Sequence, residues 1–232
     1  MSLRTRLRID GKNGVLGTTI DLEDDLNLDE QKATSYLSLS WRMSGPHLLE
    51  FEYFSINRTG SETLSAEIKF GDAVFEVGAQ VDSFFDSEVF RIGYAYVVRE
   101  TDTYALALSA GLHVTDLATG ITELASNLSS VENVGLSDIT APLPVVGISG
   151  GWNIIDKWYM YGRLQFFQLS ISDYDGRLEH ASVRLEYDAF EHVGFGLGYD
   201  MFGFRLDADR ETWDGTVNYR FRGPMLFLKG QF

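Results

Sequence analysis

Apolar and polar residues alternate with a period of two along almost the whole chain, which is the pattern of strands with two unlike faces. Leu37, Leu39, Trp41 and Met43 oppose Tyr36, Ser38, Ser40 and Arg42; Leu49, Phe51 and Tyr53 oppose Glu50 and Glu52. Leu64, Ala66, Ile68 and Phe70 stand against Ser65, Glu67 and Lys69, and Ala181, Val183, Leu185 and Tyr187 against His180, Ser182, Arg184 and Glu186. The pattern predicts twelve strands, at Ser2–Asp10, Lys32–Met43, His47–Ile56, Thr63–Phe70, Ala73–Phe84, Glu88–Val98, Thr103–Thr115, Ala141–Ile154, Lys157–Ile171, Arg177–Tyr187, Val193–Asp207 and Thr216–Phe232. Short links (Ser44-Gly45-Pro46, Gly71-Asp72, 99–102, Ile155-Asp156, 188–192) alternate with longer or more polar ones (11–31, 57–62, 85–87, 116–140, 172–176, 208–215). Parity changes in the last strand, where Val217, Tyr219 and Phe221 give way to Leu226 and Leu228, and this predicts a bulge at Arg222-Gly223-Pro224. The stretch 116–140 is the only one with helical spacing, at Ile121, Leu124, Ala125 and Leu128, and reads as a loop or a short helix over the mouth.

An even strand count with short turns at one end and longer loops at the other predicts an all-β, antiparallel, up-and-down transmembrane β-barrel, one domain over 1–232, with both termini periplasmic. Period two alone does not distinguish this from a soluble barrel with its apolar face inward. Aromatics near strand ends (Trp41, Tyr53, Phe70, Trp152, Trp158, Tyr187, Phe232) favour apolar-out, as interfacial girdles. Gly93, Gly111, Gly147, Gly194, Gly196 and Gly198 fall largely on the polar face, as a crowded interior requires, and that face carries both signs of charge.

Composition narrows the function classes. The longest uncharged run, Ile139 to Ile155, contains two prolines and three glycines and is no helical span. Without cysteine there is no disulfide scaffold, thiolate metal site or thiol nucleophile. A net charge of −15 argues against nucleic acid as a partner. Met1-Ser2-Leu3-Arg4 has no apolar secretory core, so the sequence reads as a mature chain behind a start methionine.

The close, Leu226-Phe227-Leu228-Lys229-Gly230-Gln231-Phe232, is an alternating strand ending on an aromatic. It resembles the C-terminal signal that bacterial outer-membrane barrels present to their assembly machinery, with Phe232 as the signal residue and Gly230 where a bulkier residue is common. Several segments carry a wider resemblance: 17–26, 111–116, Ala141-Pro142-Leu143-Pro144, 193–199 and Gly223-Pro224. On these the chain resembles an uncharacterised family of proteobacterial outer-membrane β-barrel proteins. The resemblance implies a porin-like small barrel in the outer membrane of a Gram-negative cell, among outer-membrane lipids and lipopolysaccharide. It implies no established activity and no cofactor.

The charged residues suggest what the interior does. Arg4, Arg6, Arg8, Arg42, Glu50, Glu52, Glu67, Lys69, Glu76, Arg91, Arg163, Arg184, Glu186, Arg220 and Lys229 form the predicted lumen lining. A twelve-stranded wall has a radius of roughly 12 Å, which leaves a narrow polar lumen, either a passive channel or an ion-paired, membrane-structural interior. Two other chemistries have candidates. His180 and Ser182 share one strand face, as the base and nucleophile of outer-membrane phospholipase A and lipid A deacylases do, although Val183 replaces the asparagine of the phospholipase. Asp21, Glu23, Asp24 and Asp25 form an acidic run that offers oxygen ligands to calcium or magnesium but lacks the EF-hand spacing. A non-enzymatic barrel is the expectation, with a lipid hydrolase or a loop-based ligand or adhesion binder as rivals.

Overall fold

The structure, a computed structural model, describes residues 1–11, 15–124, 131–171, 174–210 and 213–231. Its wall strands are β1 (Ser2–Ile9), β3 (Tyr36–Ser44), β4 (His47–Thr63), β7 (Gln80–Glu100), β8 (Tyr104–Leu124), β9 (Val131–Ile155), β10 (Trp158–Ile171), β11 (Tyr174–Tyr187), β12 (Val193–Arg210) and β13 (Trp213–Gly230). A two-residue β2 (Ile20–Asp21) and a one-turn α1 (Leu22–Leu26) follow β1, and a small hairpin of β5 (Ile68–Phe70) and β6 (Ala73–Phe75) lies between β4 and β7. Hydrogen bonding joins eleven strands in the order β2-β1-β13-β12-β11-β10-β9-β8-β7-β4-β3, every pair antiparallel. The sheet curls round on itself: Phe54 of β4 meets Phe221 of β13 at 5.1 Å between ring centroids, and Phe85 of β7 meets Tyr219 at 5.3 Å. Glu30 to Lys32 complete the ring beside β1, through Leu3 N–H to the Glu30 carbonyl and Lys32 N–H to the Met1 carbonyl.

The fold class follows the sequence pattern, but several boundaries move. Residues 57–62 and 85–87 are not loops; they continue β4 and β7. The described part of 116–140 is neither loop nor helix: Ile121 and Leu124 end the long strand β8, and β9 begins at Val131, while Ala125 and Leu128 lie outside the described residues. The Thr, Val and Ile in these segments suit a pleated surface, and Leu117, Thr119 and Ile121 point inward on every second position. The predicted bulge at Arg222-Gly223-Pro224 is absent, because the β12–β13 ladder runs unbroken from Val193 opposite Gly230 to Arg210 opposite Trp213.

The parity change has another cause. Odd residues of β13 point inward from Gly215 to Lys229, yet what they carry changes, and the inward residues of β4 and β7 change in the same way. Along β7 the outward residues Phe90, Ile92, Tyr94, Tyr96 and Val98 are apolar and exposed, whereas Asp82, Asp86 and Glu88 occupy the same face further up. The inward residues run oppositely, from Arg91, Gly93 and Ala95 to Val81, Phe85 and Val89. Exposed apolar residues on the other strands (Leu106, Leu108, Val146, Ile148, Leu164, Leu197, Met201, Leu226, Leu228) continue this belt round the wall. A contiguous apolar surface on this scale is the mark of a lipid-facing wall. Nine residues of tilted strand, Phe90 to Val98, rise about 20–25 Å, close to the apolar band of an outer-membrane barrel. The tight turns 45–46, 101–103 and 156–157 lie together at the belt end of the wall. Above the belt the wall is built like a soluble barrel, polar outside and filled with Phe54, Ile56, Phe85, Leu143, Phe204 and Tyr219.

Candidate functional site

A layer of ion pairs fills the lumen at the level of the belt. Successive inward positions of β4 carry Glu50 and Glu52, and register places Arg91 of β7 opposite Glu52. Arg91 Nη2 lies 2.7 Å from Glu50 Oε2 and its Nη1 3.5 Å from Glu52 Oε2. From across the lumen, Arg163 of β10 reaches both carboxylates, with Nη2 2.9 Å from Glu50 Oε1 and Nη1 on Glu52 Oε1. Arg184 of β11 sits 3.9 Å from Glu52 and donates to the Tyr36 hydroxyl at 3.2 Å. Gly93 makes the room: a Cβ there would meet Arg91 Nη2 at 2.7 Å. Except for Arg184 these side chains are at most 7 % exposed, so each charge depends on its partners for the solvation that water would supply.

Next to the ion pairs lies a polar row. His180 Nε2 is 3.1 Å from Asp200 Oδ1, and its Nδ1 is 3.3 Å from Gln165 Oε1, which also meets His113 Nε2 at 3.3 Å. The carboxylates Glu50 and Glu52 thus face Arg91, Arg163 and Arg184, while Asp200 is taken by His180. Ser182 is buried beside this row, but no hydrogen bond joins it to His180, whose two ring nitrogens are engaged by Asp200 and Gln165. The spacing that suggested a hydrolase therefore places base and serine inside a packed lumen, away from the lipid-facing surface. In this geometry His180 is a hydrogen-bonding member of the interior.

The other predicted lumen residues divide. Glu186 and Lys229 face inward below the ion pairs, where Lys229 Nζ lies 3.1 Å from Glu186 and 3.0 Å from Asp188. Arg42 pairs with Glu100 at the tight-turn rim through contacts of 3.0 and 2.9 Å, and this hydrogen bonding holds the Glu100 carboxyl below its ordinary range. Arg4, Arg6, Arg8 and Arg220 do not line the lumen: Leu3, Thr5, Leu7 and Ile9 fill the inward positions of β1, and Arg220 alternates with buried Tyr219 and Phe221. The outer half buries its apolar face, which turns these arginines outward. Glu67 and Lys69 pair with each other at 3.4 Å on the small hairpin, and Glu76 is exposed just past it. The acidic run is absorbed by the protein. Asp21 caps α1 and meets Arg4 and Arg6, Asp24 meets Arg4, and Asp25 accepts the Asp21 N–H. Glu23 is buried against Arg58 and the Thr5 N–H, and no metal-ligand cluster occurs among the described residues. Phe232 lies outside the described residues.

Sequence reasoning missed Arg58, which is fully buried among Glu23, the Thr5 hydroxyl and the ring of Phe85. It also missed Asp200, His113 and Gln165. Their signal was parity: each occupies an inward position of its strand, as Glu50 and Glu52 do.

No family model matches the chain. No curated protein matches it either. Among solved structures the chain is similar to a TodX deltaS2S3 mutant, described as a monoaromatic hydrocarbon channel, at 9% identity and a TM-score of 0.35 over 99% of this chain and 88% of that one. A likeness at that level assigns no activity. The family resemblance thus rests on the sequence motifs, and the barrel on the wall itself.

Proposed function

We propose that the protein is a passive outer-membrane barrel of the porin-like kind whose lumen is sealed in its resting form, so that its main role is membrane-structural. The observation that carries this reading is the ion-pair layer of Glu50, Glu52, Arg91, Arg163 and Arg184. An open porin keeps its lumen charges hydrated, but these are buried and joined across the lumen, and the apolar packing of the outer half adds a second seal. The small hairpin is part of that seal: Phe70 and Phe75 are buried, Thr18 N–H donates to the Lys69 carbonyl, and Gly71 N–H donates to the Ile9 carbonyl. Planar-bilayer recording tests the proposal. Purified protein should insert without steady current across salts and voltages, and a stable open conductance would contradict the sealed state.

The proposed partners are outer-membrane lipids and lipopolysaccharide along the belt, with the barrel-assembly machinery reading the terminal Phe232. The outward arginines of β13, Arg220 and Arg222, lie just above the belt, at the level expected of headgroup phosphates, and support the lipid part of this reading. Charge reversal at Arg220 and Arg222 should lower copurifying lipopolysaccharide; unchanged lipopolysaccharide would contradict that contact.

A further inference from the structure

Among the described residues the wall has two open edges where it faces lipid. β13 pairs with β1 only as far as Arg222, opposite Ser2, although it runs on to Gly230 along β12. From Gly223 to Gly230, therefore, one edge of β13 has no ladder partner among the described residues. β3 likewise pairs only with β4. Both edges belong to the belt, with Leu226 and Leu228 on one and Leu37, Leu39 and Trp41 on the other exposed outward. Backbone groups left unpaired in hydrocarbon are costly, and spanning barrels close for that reason.

The two edges do not complete each other in the antiparallel pattern of this wall. Both β3 and β13 run toward the tight-turn rim, so they are mutually parallel, and a strand running the opposite way belongs between them. β1 is such a strand in the outer half. It lies between β13 and Glu30–Lys32, with Ser2 opposite both Arg222 and Gln31, and Glu30–Lys32 lead through Ala33, Thr34 and Ser35 into β3. Continuing β1 backward in these two registers sets the fifth residue upstream of Met1 opposite Leu228 and also opposite Leu37, which both point to lipid. The fourth upstream residue falls opposite Phe227 and Tyr36, on the lumen face. Two independent registers thus agree on every side-chain direction. One added strand also raises the membrane half from nine strands to ten, the even number of bacterial single-chain barrels.

We propose that the slot between β3 and β13 is filled by polypeptide directly preceding Met1, a strand of about seven residues that continues β1 to the tight-turn rim, apolar toward lipid and small or polar toward the lumen. This rests on the membrane-spanning reading of the belt. The probe is a seven-residue extension, Val-Thr-Leu-Ser-Val-Ser-Val, placed before Met1. A cysteine replaces its leucine, the fifth residue upstream, and is combined with L228C or with L37C. The chain has no cysteine of its own to interfere. In vesicles both pairs should form intramolecular disulfides in most of the protein, and moving the cysteine one residue along the extension should abolish both. Three results overturn the proposal: no cross-link from the extension, a direct L37C–L228C disulfide in the unextended chain, or cross-linked dimers, which would mean that a second copy fills the slot. I92C run in the same vesicles separates the two readings. If it is protected from a water-soluble maleimide while cross-linking fails, only the strand proposal falls; if it is labelled, the membrane reading falls with it.

Discussion

The two halves of this wall are joined by the same long strands, β4 and β7 to β13, yet they are built on opposite principles. In the belt, the outward positions are Leu, Ile, Phe, Tyr and Val, and the inward ones carry Glu50, Glu52, Arg91 and Arg163. One hairpin length further up, the outward positions are Asn57, Thr59, Asp82, Asp86 and Glu88, and the inside is a continuous apolar core. The solvent outside differs, and the side chains follow it. Lipid leaves polar groups to be satisfied inside the ring, whereas water lets the ring bury aromatics. Two buried arginines mark the contrast. Arg163 ties two far strands together across the belt lumen, and Arg58 pins the α1 segment into an otherwise apolar core through Glu23 and Thr5.

The contrast predicts a graded set of substitutions. The largest effect is expected at the ion pairs. Arg163→Ala leaves Glu50 and Glu52 short of a partner in a dry interior and should cost about 3–5 kcal/mol. Urea unfolding in lipid vesicles, followed by tryptophan fluorescence, measures it, and a loss under about 1 kcal/mol would mean that water already solvates the layer. Phe85→Ala, in the outer core, should cost about 3–5 kcal/mol through cavity formation, with no change in the belt's protection from aqueous reagents. A matched pair on the outer surface follows. Leu108→Arg faces lipid and should cost about 2–4 kcal/mol, whereas Thr59→Arg faces water and should stay within about 0.5 kcal/mol. Equal costs at the two positions would erase the distinction between the halves.

The smallest effect concerns pH at the rim. Glu100 has its pKa lowered by the Arg42 hydrogen bond, so the pair stabilises the fold above the ordinary carboxylate range and loses that contribution as pH falls through the lowered value. Both side chains are about half exposed, which limits the contribution to under about 1 kcal/mol. Arg42→Ala should flatten this acid-side slope in a pH series of unfolding midpoints; an unchanged slope would assign it to other carboxylates.

Period two fixes the strands and their two faces, so most of the wall was legible from the chain alone. It does not say which face meets which solvent at a given height. Reading one polarity for every strand put Arg4, Arg6, Arg8 and Arg220 in the lumen and turned the parity change at Arg222-Gly223-Pro224 into a bulge. The polarity of β4 reverses at Phe54, where apolar residues pass from positions 49, 51 and 53 to 54 and 56, and the same step recurs in β7 and β13. That repeat was the legible signal. Long-range partners were not legible: nothing local joins Arg163 to Glu52, or His180 to Asp200, because such pairs depend on how far the sheet curls.

The most direct test of the inverted halves is a single-cysteine scan along the outward face of β7 in sealed vesicles, at Asp82, Phe84, Glu88, Ile92, Tyr94 and Tyr96. A membrane-impermeant maleimide should label the first three positions, and only a lipid-soluble reagent should reach the last three. Uniform labelling by the aqueous reagent, or uniform protection from it, would contradict a wall that changes solvent near Phe90.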